Sequence, residues 1–291
     1  MGANAPHVLI LVPDPVYPEP WAWAFHVEAD ALRQAGFEVS ARPWTAFGNL
    51  DSFDAVLPLV VWGYHERYAE WLALLDRLDA GRRICINPTA LLRWNGDKGY
   101  LAGLDGKGVP TVHTIAVEAL DEQGLKEARD RFGGGQLVVK PPVSASATGT
   151  FLLGPNDAIP DEAVGKRMLI QPFMDSIASQ GEYSVMLFDG AFSHAILKTP
   201  KAGDFRVQPH LGGTERPCIA PEGAIDLAKA ALAAAPAEAV YARVDMIADE
   251  DEMLRIMELE LIEPALWLQH APDGGAGFAS AVRRAIEQPL A

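Results

Sequence analysis

Cationic side chains are scarce in this 291-residue chain: 24 Lys and Arg stand against 39 Asp and Glu, a formal net charge of -15. Such a surface repels a phosphate backbone and an anionic bilayer, so neither nucleic acid nor a membrane is an expected partner. The scarcity also makes each Lys or Arg informative, because a bound phosphate needs placed cations or a divalent metal. Cysteine is nearly absent. Cys85 and Cys218 lie far apart and form no CxxC pair, which excludes a disulfide framework and a zinc knuckle and leaves two inert thiols. Long apolar runs are missing as well. Val8 to Val12 is too short for a signal segment or a membrane span and has no Lys or Arg before it, so the chain reads as cytoplasmic. No G-x-G-x-x-G follows that first run, where Pro13-Asp14-Pro15 stands instead, which disfavours a dinucleotide-dependent dehydrogenase.

What is present is an ordinary globular composition, 49% hydrophobic and 22% charged, long enough for two or three lobes. Strands are expected at 8–12, 37–41, 55–61 and 83–86, with helices at 22–34 and 66–78 between them. That alternation implies a parallel, Rossmann-like sheet over residues 1–88. Residues 89–168 have a different texture, helical at 91–104 and 120–132 and extended at 111–117 and 136–140, which suits a small α+β lid. Strands dominate from 169 to 291. Extended segments at 169–174, 182–188 and 192–197 include a hairpin turning on Asp189-Gly190, and a second hairpin joins 240–248 to 253–262 across Asp249-Glu250-Asp251. An Ala-rich helix at 224–235 precedes it, and a final helix covers 278–286.

The second hairpin carries the strongest chemical signal. Side chains alternate along a strand, so Glu258 and Glu260 share a face and pairing brings Asp245 opposite them. Like charges so placed are destabilising unless a cation neutralises them, which points to a Mg²⁺ site; a solvated acidic face is the plainer alternative. Met246, Ile256, Met257, Leu259 and Leu261 are expected on the apolar opposite face. Lys140 ends a buried-looking strand and is followed by the small, hydroxyl-rich stretch Ser144 to Gly149, suited to covering phosphates but equally readable as a surface loop. It is not a Walker A loop. Gln171-Pro172-Phe173-Met174 can offer backbone groups to a purine edge or be a plain core strand. Lys198, Arg206 and Arg243 are the cations to place around phosphates and a substrate carboxylate, with a structural salt bridge the alternative for Arg243. Gly212-Gly213 allows close approach of backbone N–H groups or forms a turn. His194 reads as packed, and His210 has the better functional odds of the two.

The order of these features resembles the ATP-grasp superfamily over residues 89–265. Lys98, within Arg93-Trp94-Asn95-Gly96-Asp97-Lys98, matches the lysine of the linking helix, and Lys140 that of the lid strand. Ser144, Ser146 and Gly149 match the closing loop, and Gln171, Phe173 and Met174 the hinge at the adenine. Asp245 with Glu258-Leu259-Glu260 resembles the aspartate and E-x-N pair that hold two Mg²⁺ ions, which Mn²⁺ can replace. Two departures stand out: Glu260 replaces the asparagine, and Glu182-Tyr183-Ser184 replaces D-x-R, so that Glu182 keeps a ribose contact in question. The strings Phe205-Arg206-Val207-Gln208, Tyr241-Ala242-Arg243-Val244-Asp245 and Glu258 to Pro264 look most like the cyclo-ligase group of D-cycloserine biosynthesis.

The resemblance implies an ATP-grasp fold with a Rossmann-like N-terminal lobe, a small lid and a mainly antiparallel C-terminal lobe. It implies an ADP-forming ligase that joins a small carboxylic acid to an amine through an acyl phosphate, with ring closure inside one amino-acid-like molecule among the options. A small-molecule kinase and a non-catalytic ATP-binding module are the alternatives. The oligomeric state stays open, a homo-oligomer included.

Overall fold

Val8, Leu9, Ile10 and Leu11 are fully buried and alternate between two cores. In the computed structural model, which describes residues 5–288, they form the centre of β1 (His7–Val12). It lies between β2 (Glu38–Pro43) and β3 (Ala55–Leu57) in a parallel sheet. Val8 and Ile10 pack on α1 (Ala22–Gln34), while Leu9 and Leu11 pack on α2 (Tyr68–Ala80). A central parallel strand covered on both faces reads as a continuous apolar run for this reason. Two sequence expectations shrink. β3 stops at Leu57 because Pro58 has no N–H for the ladder. The strand expected at 83–86 is a single parallel bridge between Cys85 and Val56. Residues 1–4 and 289–291, the outer ends of the expected first and last lobes, lie outside the described residues.

The helix expected at 91–104 is two: α3 (Thr89–Asn95) and α4 (Tyr100–Asp105), broken at Gly96 to Gly99. Gly96 packs so closely on Tyr68 that a Cβ there would lie 2.8 Å from the phenol oxygen. Lys98 therefore sits at a break between helices and not within one, its amide tied to Pro142 O at 2.8 Å. A second sheet, antiparallel, follows in the order β4-β7-β5-β6, from β4 (Ile115–Val117), β5 (Leu137–Lys140), β6 (Phe151–Leu153) and β7 (Met168–Pro172). α5 (Glu122–Arg131), capped by the Asp121 carboxylate, covers it through Leu125 and Ala128. β7 lies beyond the expected boundary at 168, yet its hydrogen bonds go to β4 and β5. β6 is too short to leave a readable pattern.

The third sheet is antiparallel, in the order β10-β9-β8-β11-β12. Its strands are β8 (Glu182–Phe188), β9 (Ala191–Thr199), β10 (Thr214–Cys218), β11 (Tyr241–Ala248) and β12 (Leu254–Glu260). The short α6 (Ser176–Ser179) leads into it; α7 (Ala224–Ala233) and α8 (Ala276–Glu287) pack on it. A parallel sheet in the N-terminal lobe and an antiparallel sheet in the C-terminal lobe match the arrangement that the sequence resemblance implies. β12 is an edge strand whose outer backbone groups are satisfied at Ile256 by the backbone of Pro110 and Val112 and farther along by side chains. Tyr100 Oη accepts from Leu259 N at 2.7 Å, Asn95 Oδ1 accepts from Leu261 N at 3.0 Å, and Asn95 Nδ2 donates to Leu259 O at 2.8 Å. Capping the edge this way fixes β12 against α3 and α4 and blocks further strand pairing. Among the described residues, no helix is long and apolar enough to cross a membrane.

Candidate active site

The three sheets meet at a cleft of about 780 Å³. Register decides what β11 and β12 present to it: Asp245 is opposite Glu258 and Arg243 opposite Glu260. The register then slips by one, leaving Met257 unpaired, and this bulge turns Met257 into the cleft. Met246, Ile256, Leu259 and Leu261 are buried on the other face as expected, and Met257 is the exception.

Glu182, Asp245, Glu258 and Glu260 each have a cationic partner, whereas Glu215 accepts only from Trp267 Nε1 at 2.9 Å. Lys198 donates to Asp245 Oδ2 at 2.9 Å and also bonds Glu182. Arg243 Nε donates to Asp245 Oδ1 at 3.1 Å, its Nη2 to Oδ2 at 3.0 Å, and Nη2 also meets Glu260. Ser184 Oγ donates to Asp245 Oδ1 at 2.6 Å. Burial raises the cost of the Asp245 charge, but Arg243 and Lys198 outweigh it and hold its pKa below the usual range. The same pairs outweigh burial for Lys198 and Arg243, keeping both protonated. Glu260 goes the other way: burial, with repulsion from Asp245 and Glu258 and against the pull of Arg243, lifts it to about 7. Glu182, buried beside Asp245, is also raised. Arg243 further stacks over Trp267, 5.0 Å from the ring centroid.

Lys98 Nζ lies 3.2 Å from Glu258 Oε1 and bonds the Ser144 carbonyl, so the helix break, the lid loop and β12 meet at one ammonium. Lys140 lines the same cleft, its pKa lowered by burial and by Lys98 against the pull of Glu258 and Glu182. Of the loop, Ser144 and Ser146 line the cleft with Ala145, Ala147 and Thr148. Gly149 does not; its φ of +68° lets the chain pass Pro141. Ser146 and Ala147 both have positive φ, 52° and 59°, an unfavourable conformation for residues with a Cβ. An apolar wall faces the loop. Gln171, Phe173 and Met174 line it with Val112, Ile247 and Met257, and Phe173 meets Phe205 edge-on at 5.8 Å. Gln171 donates to Thr114 Oγ1 at 2.9 Å, which orients its side chain. Arg206 reaches the cleft half-exposed and paired with Asp204.

Some alternatives left open by the sequence now close. The Gly212 and Gly213 amides are used within their own turn, donating to Pro209 O at 2.9 Å and Gln208 O at 3.2 Å, so neither is free for a ligand. His194 is packed, with Nε2 3.0 Å from Leu266 O, whereas His210 lines the cleft. Residues the sequence reading missed come from the N-terminal lobe: Tyr17, Glu19, Trp62, Tyr64 and Glu66, with Glu263 from beyond β12. The first five lie in the loops after β1 and β3, the carboxyl ends of neighbouring parallel strands, where open α/β sheets place their ligand crevice. That rule was the available signal.

Among the described residues, no group of three or more His, Cys, Asp and Glu side chains is gathered at metal-holding spacing. The expected three-carboxylate cluster is interleaved with Lys98, Lys198 and Arg243, whose charges offset those of the buried carboxylates. The donor chemistry still suits a hard divalent ion. Only one oxygen each of Glu258 and Glu260 is taken by Lys98 or Arg243, both carboxylates are accessible from the cleft, and all donors are oxygen.

A family model described as the N-terminal domain of D-cycloserine synthetase DcsG matches residues 15–87. The chain is 32% identical over 278 residues to the cycloserine biosynthesis protein DcsG of Streptomyces lavendulae, covering 89% of this chain and 92% of that one. Among solved structures, D-cycloserine synthetase DcsG superposes with a TM-score of 0.80 at 30% identity, covering 96% of this chain and 99% of the other. D-alanine–D-alanine ligase from Bacillus anthracis, solved with ATP, has a TM-score of 0.68 at 18% identity, covering 98% and 97%.

Proposed function

Because the chain belongs to the D-cycloserine synthetase family of ATP-grasp ligases, which form carbon–nitrogen bonds, we propose that it activates the carboxylate of a small amino-acid-like molecule with ATP and passes the acyl group to an amine. The lobes that share this work are those expected from the sequence, 1–88, 89–168 and 169–291, with β7 (Met168–Pro172) joined to the sheet of the middle one. In the first step a carboxylate oxygen takes the γ-phosphoryl group and ADP leaves. In the second the amine nitrogen attacks the acyl carbon, inorganic phosphate departs and the nitrogen loses a proton. Ring closure is the case in which acid and amine belong to one molecule.

The residues divide these tasks by position. Gln171, Phe173 and Met174 form the adenine wall, and Glu182 is the candidate for the ribose. Lys98 and Lys140 hold the phosphates from two sides, and Ser144, Ser146 and Gly149 belong to the loop that covers them. Asp245, Glu258 and Glu260 would hold Mg²⁺, which when bound neutralises the terminal phosphates. Arg243 and Arg206 face the space a substrate carboxylate would enter. Lys198, bonded to Glu182 and Asp245 and lining the cleft, is the third of these cations. Phosphoryl transfer asks mainly for positioning and charge neutralisation, which these groups supply without a protein nucleophile.

The observation that carries this reading is the meeting of Lys98, Lys140 and the rung Asp245–Glu258 over one cleft. A scan of amino-acid-like acids for ADP and phosphate release, with and without added amine, tests it. Release of ADP with a stable phosphorylated product, independent of any amine, would instead describe a kinase.

A further inference from the structure

Arg243 is gripped along one edge and one face of its guanidinium, and open elsewhere. Nε and Nη2 lie along Asp245, and Nη2 also meets Glu260, so both nitrogens are spent on carboxylates. Nη1 has no hydrogen-bond partner among the described residues and is not sealed from solvent, although the residue is only 7% exposed; Arg243 lines the cleft. A fork bonded along one edge can still tilt about that edge and swing its third nitrogen away. The indole of Trp267 closes that freedom, its ring centroid 5.0 Å from the guanidinium carbon.

The indole is itself held. Its Nε1 donates to Glu215 Oε2 at 2.9 Å. Glu215 stands on β10 opposite Lys198 of β9, but that ammonium is already bonded to Glu182 and Asp245, and Glu215 takes the indole instead. The backbone is anchored on either side of Trp267: Leu266 and Leu268 are each 1% exposed in the core, and Leu266 O lies 3.0 Å from His194 Nε2. Between these anchors Trp267 takes a φ of +44°, unfavourable for a residue with a Cβ. Such a conformation persists only where its surroundings over-determine it, and it recurs at working sites. Trp267, Glu215 and Arg243 all line the cleft. Resting on the ligase reading above, we propose that Trp267, braced by Glu215, is a positioning residue: it fixes the Arg243 guanidinium so that Nη1 is the nitrogen presented to an oxygen of the carboxylate being activated. Trp267 acts through Arg243 and not on the reacting atoms.

Kinetics of the full chain, with the acid found active in the scan, test this role. Trp267→Leu removes the aromatic face and should lower kcat by about 10²-fold while KM for ATP stays within about two-fold, because a misplaced guanidinium harms transfer and not nucleotide binding. Trp267→Phe keeps a face and should recover most of the lost kcat. Glu215→Leu, at an exposed position on an edge strand, frees the indole; it should lower kcat about ten-fold with the same split, and it serves if Trp267→Leu does not fold. An unchanged kcat in these leucine variants, or a KM for ATP that rises as kcat falls, would overturn the positioning role. The Arg243 Nε–H signal in a ¹H–¹⁵N spectrum, identified by its loss in Arg243→Lys, reads the stack without any substrate. It should move in Trp267→Leu, where the indole no longer shields it, and a signal that stays in place would overturn the stack. If no acid supports ADP release while that signal moves as expected, the ligase reading fails and the stack stands.

Discussion

The two walls of the cleft treat negative charge in opposite ways. On the C-terminal wall Asp245, Glu182, Glu258 and Glu260 are matched by Lys198, Arg243 and Lys98; on the N-terminal side Glu19, Glu66 and Glu263 have no such partners among the described residues. Matched buried charges resist change, because removing one partner strands the other. The matched carboxylates are those proposed above for phosphoryl transfer, and the N-terminal ones stand open to the cleft.

The largest expected effect lies on the matched wall. Glu258→Gln should lower turnover by about 10²-fold or more while the protein still binds nucleotide, since its charge matters most as charge develops during transfer. Steady-state ADP release together with a nucleotide melting shift separates the two. Asp245→Asn should cost less turnover but more stability. It leaves Lys198 and Arg243 partly unmatched in a buried setting, at about 3 kcal/mol, measurable by urea unfolding. If Asp245→Asn is as stable as the parent, the network is not held as described.

Next comes Lys140→Ala. Nucleotide bound only by the folded state raises the melting temperature by mass action, and this variant should lose most of that shift while the apo protein stays folded. An unchanged shift would remove Lys140 from the phosphate site. The loop from Ser144 to Gly149 should then show slower hydrogen exchange with nucleotide than without, as its strained Ser146 and Ala147 exchange poor local geometry for phosphate contacts. Equal protection in both states would argue against closure.

The smallest effect sharpens the unmatched wall. Burial, and then the charge of Glu260, raises the Glu263 pKa to about 8, so protonated Glu263 favours folding. That contribution is complete below about pH 4.5 and is lost as pH rises through 8. Unfolding of apo protein at pH 6 and pH 9 should therefore show a decline that Glu263→Gln reduces by about 1 kcal/mol, a figure discounted for access of solvent from the cleft. A parallel decline in both proteins would show that Glu263 is matched after all.

The ligand-facing rungs were legible in the sequence because alternation on two long strands leaves little freedom. Asp245, Glu258 and Arg243 share the face that their spacing predicted. What could not be read was register. The slip after Asp245 moves Met257 into the cleft, and nothing in the residues around it marks a bulge. The lid was harder, since β4 and β6 are each three residues long and depend on β7 and β5 for their conformation. Lys98 lines the cleft, but its placement depends on Tyr68, thirty residues away, crowding Gly96. The N-terminal side of the cleft escaped because its residues lie in two loops whose proximity comes only from the strand order β2-β1-β3.

Transfer of the γ-phosphoryl group to a carboxylate oxygen leaves an isotopic trace. Once an active acid is identified, it can be supplied with ¹⁸O in both carboxylate positions and the phosphate product read by ³¹P NMR. The expected products are ADP and inorganic phosphate carrying one ¹⁸O from the acid, with hydroxylamine diverting the activated acid to a hydroxamate. Pyrophosphate among the products, or inorganic phosphate free of the label, would contradict that transfer.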